Sequence, residues 1–276
     1  MVLFTGITDT VRFWVFVGLF VLFALAETLW PRRRLTVPKS ERWYANIGII
    51  LVDTLVVRLL FPLLPYTLAI TAFHQNWGIF NRINLTGRPE LLLSLVLLDL
   101  LIYLQHRLFH RIPLFWRIHR MHHTDLDLDV STGNRFHPIE IALSLVIKMA
   151  AVLLFGISAM AILLFEVILN ATSLFSHANL ALPVPLDRWL RLVLVTPDMH
   201  RVHHSIHPAE TDSNFGFCQP WWDRLLGTYH DQPRDGHTGM LIGLREFRDQ
   251  HHLGLLQLLK LPFVTIPPVR RVSDDA

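Results

Sequence analysis

The stretch Ile139–Phe175, IEIALSLVIKMAAVLLFGISAMAILLFEVILNATSLF, decides how this chain folds. About 20 apolar residues cross a hydrocarbon core of roughly 30 Å, so the run is too long for one straight crossing. Gly156-Ile-Ser158 interrupts it near the middle, which predicts a helical hairpin that enters and leaves the membrane by the same side. Lys148, Glu166 and Asn170 fall inside it and are expected to face protein or water, because polar groups at membrane depth rarely face lipid.

Three further apolar runs precede the hairpin. Phe13–Ala26 is uncharged and is followed by Pro31-Arg-Arg-Arg34. Ala24-Leu-Ala26 resembles a signal-peptide cleavage box, but no basic residue precedes Arg12 and the basic cluster comes after the apolar run, the reverse of a secretory signal. An anchor helix is the better reading. Tyr44–Phe73 contains Asp53, Arg58, Pro62 and Pro65 and suits one tilted or kinked crossing, and Leu91–Leu108 supplies the next. Basic residues concentrate in 31–43 and 106–137, whereas the connection 74–89 holds only Arg82 and Arg88. By the positive-inside rule the N-terminus is outside, and the segments beside the histidines are cytoplasmic.

Composition agrees. The 276 residues are 52% hydrophobic and 17% charged, against about 25% charged in soluble domains. A single cysteine, Cys218, allows no internal disulfide. The fold expected is an all-α integral membrane protein with three to four crossings including the hairpin, capped on the cytoplasmic side by histidine-rich helices. Boundaries fall at 1–90 for the anchor helices, 91–229 for the histidine-bearing domain and 230–276 for a tail. Within that tail, Leu253–Phe263 reads as a short interfacial helix and Arg270–Ala276 as unstructured. The net charge of +3 reflects basic residues flanking apolar spans, and no basic stripe interleaved with aromatics suggests nucleic-acid binding.

The sixteen histidines are unevenly spread. Three tight clusters stand out: His106-Arg-Leu-Phe-His110, His119-Arg-Met-His122-His123 and His200-Arg-Val-His203-His204. Helical residues three and four apart share a face, their β-carbons about 5–6 Å apart, so each cluster aims two or three imidazoles at one region. Neutral imidazole suits iron, zinc, copper and nickel. A lone HxxxH is commonly structural, but three such clusters at one membrane face point to a metal centre. Eight imidazoles exceed the four to six positions of one ion, so two metals are expected. No HExxH motif occurs, which argues against a zinc protease, and carboxylates are too few for a soluble di-iron bundle.

From Asp99 to Thr228 the pattern resembles the fatty acid hydroxylase/sterol desaturase superfamily of membrane non-haem di-iron oxygenases. Asp99-Leu-Leu-Ile-Tyr103-Leu-Gln-His106 through His110 is similar to its first box, and Trp116-Arg-Ile-His119 through His123 to its second. Arg135-Phe-His137-Pro-Ile-Glu140 resembles the element ahead of the membrane hairpin, and Phe175-Ser-His177-Ala-Asn179 the one after it. Asp198-Met-His200 through His204, with Asn214-Phe-Gly and Trp221-Trp-Asp-Arg-Leu-Leu-Gly-Thr228, resembles the closing segment. No nucleotide fingerprint or haem-binding His-Pro-Gly-Gly element accompanies it.

The resemblance implies two irons held by ten histidines: His106, His110, His119, His122, His123, His137, His177, His200, His203 and His204. Zinc is able to take iron's place in a purified sample. Dioxygen is implied as co-substrate, with a bilayer lipid as substrate. Two electrons would come from an external donor, a cytochrome b5-like protein or a ferredoxin with its reductase. Hydroxylation and desaturation both fit the boxes. His137, before Pro138, also reads as a simple helix cap. Asp99, Tyr103, Glu140, Asp198 and Asn214 are the candidate catalytic residues, since ligating histidines usually donate their second N–H to a carboxylate or carbonyl; ordinary capping is the alternative for each, Asp198 after Thr196-Pro197 included. Two other functions remain at this stage. A metal transporter needs ligands along a membrane path, whereas these gather at one face. A bis-histidine haem carrier needs ring pairs facing across helices at membrane depth.

Overall fold

The computed structural model describes residues 2–60, 65–249 and 254–265. The expected tail 270–276, and His251 and His252, lie outside the described residues. In chain order the first eight helices are α1 (Val2–Leu29), α2 (Lys39–Leu60), α3 (Pro65–His74), α4 (Ile79–Arg82), α5 (Gly87–Arg111), α6 (Pro113–His123), α7 (Pro138–Phe155) and α8 (Ala159–His177), α4 being a single turn and α6 three. Short helices follow: α9 (Val184–Leu190), α10 (Pro197–His203), α11 (Pro208–Thr211), α12 (Trp221–Leu225), α13 (Gly236–Gly239) and α14 (Leu255–Lys260). Among the described residues there is no β-strand, only two isolated bridges. The protein is all-α, as expected.

Among the described residues, five stretches are long and apolar enough to cross a membrane: Thr10–Leu29, Lys39–Arg82, Gly87–Arg111, Pro138–Phe155 and Ala159–His177. Their outward faces carry Phe13, Trp14, Leu22, Leu25, Leu51, Leu55 and Leu92, each more than half exposed, an arrangement that water would penalise and lipid rewards.

The hairpin forms where its sequence breaks. Gly156 takes the left-handed conformation (φ 75°) that ends α7, a role favouring glycine because a Cβ is strained there. A Cβ at this position would also lie 2.9 Å from the Trp77 carbonyl oxygen. Ser158 then caps α8 by accepting the Ala161 N–H. The polar residues inside the hairpin satisfy one another. Lys148 of α7 reaches Glu166 of α8 (3.3 Å), which also pairs with Arg12 of α1 (2.6 Å), and Asn170 donates to the Glu166 carbonyl (2.8 Å).

Leu98 and Ile102 of α5, Val152 of α7, Ile162 and Phe165 of α8 and the small Ala69 and Ala72 of α3 form the buried core. Small residues let α3 approach its neighbours closely. At the other end α5 stops because Ile112 precedes Pro113 and adopts an extended conformation, as residues before proline do. Pro113 then starts α6, and the sharp corner brings His119 back beside His106.

In the described part of the segment expected to be an interfacial helix, residues 254–263, Leu258 and Leu261 pack with Ala45 and Ile49 of α2, Met121 and Phe247; Leu253 lies outside the described residues. Arg117 donates to the Pro262 carbonyl and Arg120 to those of Leu261 and Val264. Leu256 and Phe263 face outward.

Candidate metal centre

The ends of α5, α6 and α8, together with α10, meet on one side of the helical stack. Among the described residues, nine histidines fall there into two groups. His106, His110, His119, His123 and His203 form one; His122, His177, His200 and His204 form the other. Within each, one ligand atom per ring lies within 4.8 Å of the rest. Helix geometry explains the division. In each His-x-x-His-His box the first and last residues, four apart, share a face, and the middle histidine points about one residue's rotation away. On α6, His119 and His123 enter the first group and His122 the second. On α10, His200 and His204 enter the second and His203 the first. The two boxes exchange roles and interleave the groups, with the His123 and His204 rings stacked at 4.5 Å.

Six of the nine outward nitrogens are held, whereas Nδ1 of His200 and of His204 is buried without a partner among the described residues. Nδ1 of His106 donates to the Phe215 carbonyl (2.7 Å), that of His177 to Ser173 (2.8 Å), that of His203 to Ser213 (2.6 Å) and that of His122 to Arg135 (3.3 Å). His119 Nδ1 meets Glu140 Oε1 at 2.8 Å and His110 Nδ1 meets Asp212 Oδ1 at 3.3 Å. A proton fixed on Nδ1 leaves the Nε2 lone pair aimed inward, as in metal-ligating histidines.

Inside, the nitrogens crowd without carbonyl or carboxylate partners. Nε2 atoms face each other at 3.1 Å (His106 and His119), 3.1 Å (His122 and His177), 3.0 Å (His177 and His200) and 3.2 Å (His200 and His204). Nε2 of His110, His123 and His203 has no hydrogen-bond partner among the described residues. Burial, with the neighbouring imidazoles adding to it, pushes His122, His123, His200, His203 and His204 well below the ordinary histidine value. Burial alone takes His119 down to about 3. All six are neutral at physiological pH, the form that binds metal. Buried, converging, neutral nitrogen donors fit two imidazole-ligated metal ions.

His137 stands apart from both groups, so the structure does not bring together the ten rings the resemblance implied. Its Nδ1 accepts the Ile139 N–H and its Nε2 donates to the Leu259 carbonyl; with both nitrogens used, it caps α7 and ties down the segment before α14's end.

The five candidate catalytic residues separate by what they touch. Glu140 bonds His119 directly, and its Oε2 is buried without a partner. Asn214, at φ 50°, donates to the Met199 and His230 carbonyls and thereby shapes the turn whose Ser213 and Phe215 carbonyls hold His203 and His106. Tyr103 reaches Thr228 (2.8 Å). Asp99 accepts from the Trp222 indole (2.8 Å). Asp198 pairs with Arg32 and Arg201 and touches none of the nine rings.

Asp212 at His110 and three further contributors were not singled out from the sequence. Asp223 accepts the Phe215 and Gly216 N–H groups and the Thr228 hydroxyl, bracing the same turn from below; it stood within the quoted Trp221-Trp-Asp. Arg42 crosses from α2 to Asp125 and Asp129, just after the second box. Phe136 stacks on His122 at 4.5 Å and covers one side of the centre.

Comparison with known proteins adds the following. The family model described as fatty acid hydroxylase matches residues 91–228. An ornithine lipid hydroxylase of Rhizobium tropici is 33% identical over 154 residues, 55% of this chain and 45% of the relative. An alkylglycerol monooxygenase of Caenorhabditis elegans is 30% identical over 139 residues, 49% of this chain and 26% of the relative. A very-long-chain aldehyde decarbonylase of rice (Oryza sativa subsp. japonica) is 27% identical over 191 residues, 63% of this chain and 29% of the relative. The chain thus spans less than half the length of these relatives. No solved structure matches.

Proposed function

The chain belongs to the fatty acid hydroxylase family, and on that premise we propose that it is a membrane-bound di-iron lipid oxygenase that uses dioxygen and two electrons to hydroxylate an unactivated C–H bond. The observation that carries this reading is the convergence of nine buried histidines in two groups. Hydroxylation is favoured over desaturation because two of the relatives are named as a lipid hydroxylase and an alkylglycerol monooxygenase.

His106, His110, His119, His123 and His203 would hold one iron and His122, His177, His200 and His204 the other. Iron held there would supply dioxygen activation, chemistry that side chains lack and cofactors carry. The protein's own share is placement. The Ser173, Ser213, Phe215 and Arg135 carbonyls fix four of the rings, so much of the donor set is oriented by the chain itself. Glu140 holds the proton on His119 Nδ1 and makes that ring a stronger donor. Phe136, Phe215 and Phe217 ring the imidazoles and exclude water from their faces. The site at helix ends suits a lipid entering sideways from the bilayer. The basic residues of 106–137 favour a cytoplasmic location, where an external cytochrome b5-like or ferredoxin donor would dock.

The test uses membranes expressing the chain, incubated under 18O2 with a reductase system, followed by lipid mass spectrometry and metal analysis of the purified protein. A lipid product carrying one 18O, lost together with metal in His203→Ala, is expected. Oxygenation that persists in metal-free protein would overturn the reading.

A further inference from the structure

Two short helices are built inside out for water. In α9 the buried residue is Asp187, and in α12 it is Asp223. Large apolar side chains point outward instead: Trp189 of α9 is 74% exposed and Leu225 of α12 is 73%. Asp187 is held by Arg191 (2.6 Å), and Asp223 by the Phe215 and Gly216 N–H groups. In water a helix turns its apolar stripe inward and leaves its carboxylates exposed, so the reversed arrangement specifies an apolar medium. The two helices share one face. The Trp221 indole donates to the Leu192 carbonyl (2.6 Å) and Arg224 to the Arg191 carbonyl (3.2 Å), which brings α12 against the end of α9. Leu192, Val193 and Leu226 are exposed there as well, completing an apolar patch of the kind that marks a protein or membrane contact.

Both ends of the patch run into membrane-crossing helices. The Ala181 N–H donates to the Trp30 carbonyl (2.9 Å) and the Arg32 N–H to the Asn179 carbonyl (2.9 Å). The chain leading into α9 is thereby zipped onto the end of the Thr10–Leu29 span, where Leu29 and Trp30 are themselves exposed. On the other side the Trp222 indole donates to Asp99 (2.8 Å). Asp99 lies seven residues before His106 on α5, about 10 Å toward the middle of that span at 1.5 Å per residue. The helix α12 is therefore level with lipid rather than with the histidines. Arg188, next to Trp189, and Arg224, stacked on Tyr229 at 4.1 Å, are exposed among the apolar residues. Guanidiniums so placed reach headgroup phosphates while their stems stay with the apolar face. A leaflet explains the continuity with both spans, which a contact between two copies would not require.

We infer that α9, the turn 191–194 and α12 form a ledge seated in the bilayer leaflet nearest the metal centre, its apolar edge among the acyl chains and Arg188 and Arg224 at the headgroups. Interfacial elements of this kind sit about 5–10 Å into the boundary between headgroups and acyl chains. The ledge bears on the metal centre because Asp223, which α12 buries, braces the turn whose Phe215 carbonyl holds His106. It therefore sets lipid against one wall of the site. The inference rests on the membrane reading of the helices and not on the chemistry at the histidines.

Site-directed fluorescence on the full chain in vesicles of phosphatidylcholine and phosphatidylglycerol tests it. An environment-sensitive dye is attached at Trp189→Cys and at Leu225→Cys. Leu92→Cys on the outward face of α5, and Arg245→Cys outside the ledge, are the references, and wild type, whose Cys218 is buried, is the blank. All four positions are exposed, so the fold is spared. A nitroxide placed high on the acyl chain of phosphatidylcholine should quench the dye at 189 and 225 at least threefold more than at 245, as it does at 92, and aqueous iodide should do the reverse. Iodide quenching at 189 and 225 equal to that at 245 would put the ledge in water and overturn the inference. Shielding from both quenchers would place protein over the face, a second copy if Leu225→Cys cross-links between chains and another part of the same chain if it does not, and would overturn it equally. Neither quencher reports on metal or oxygen, so loss of the ledge leaves the oxygenase reading standing. A seated ledge in a chain that incorporates no 18O would retract only the oxygenase reading.

Discussion

Replacing Arg42 with methionine should be among the most damaging substitutions away from the histidines. The guanidinium is fully buried and donates to Asp125 (2.6 and 2.8 Å), Asp129 (2.5 Å), the Asp127 carbonyl (2.9 Å) and Thr132 (3.0 Å). Removing it leaves two buried carboxylates with reduced compensation, Asp125 keeping Arg135 at 4.0 Å. Breaking a buried pair from one side costs about 3–5 kcal/mol, roughly two to four powers of ten in the folding equilibrium and about 10 °C in melting temperature. Burial raises the Asp125 carboxyl, but Arg42 and Arg135 outweigh it and hold that group well below the ordinary 3.8. The pair's contribution is therefore present above pH 3.8 and lost as pH falls further, so the gap between wild type and variant should narrow below about pH 4. Thermal unfolding in detergent at pH 7 and pH 3.5 measures both effects. The triple variant Arg42→Met, Asp125→Asn, Asp129→Asn should recover much of the loss, because it removes the stranded charges as well. A single variant within 1 kcal/mol of wild type, or a triple variant less stable than the single one, would refute the reasoning.

Three shorter predictions follow from the site. Glu140→Ala should lower metal affinity about 10–100-fold, read by competition with a chelator, while Glu140→Gln, which keeps an acceptor for His119, should lose less; equal affinity in all three proteins would remove Glu140 from the centre. His137→Ala should retain the full metal content and instead loosen the 254–265 segment, seen as faster hydrogen exchange there, whereas metal loss would restore His137 as a ligand. Metal-free protein should lose stability as pH falls from 6.5 toward 3, because His119, at about 3 when folded, stays neutral while the unfolded chain takes up the proton; an unchanged melting temperature between pH 7.5 and 5.5 would contradict this.

Much of the site was legible because its signals are local. The spacing in His119–His123 and His200–His204 states which rings share a helix face, and Gly156-Ile-Ser158 carries the stop and start of the hairpin arms in adjacent residues. What was not legible depends on chain meeting chain. The anchors of His106, His177 and His203 are backbone carbonyls, which every residue possesses and no motif marks. His137 read as a ligand, with a helix cap as the alternative, and only the Leu259 carbonyl, 122 positions away, shows what occupies its second nitrogen. Arg42 finds Asp125 across 83 positions, and an arginine near an apolar span otherwise reads as an orientation signal. The 254–263 segment has the composition of an interfacial helix, and only the Ala45–Ile49 face of α2 shows which of its side chains, Leu258 and Leu261, pack on protein.

The central claim is a pair of adjacent metal ions ligated by histidine nitrogen. Metal quantification with X-ray absorption at the iron edge, on protein purified anaerobically from iron-replete cells, tests it most directly. Two irons per chain with a nitrogen-dominated coordination shell, falling sharply in His203→Ala and in His177→Ala alike, is the predicted result. One iron or none per chain in such a preparation, with no other metal taking its place, or a shell dominated by sulfur, would contradict it.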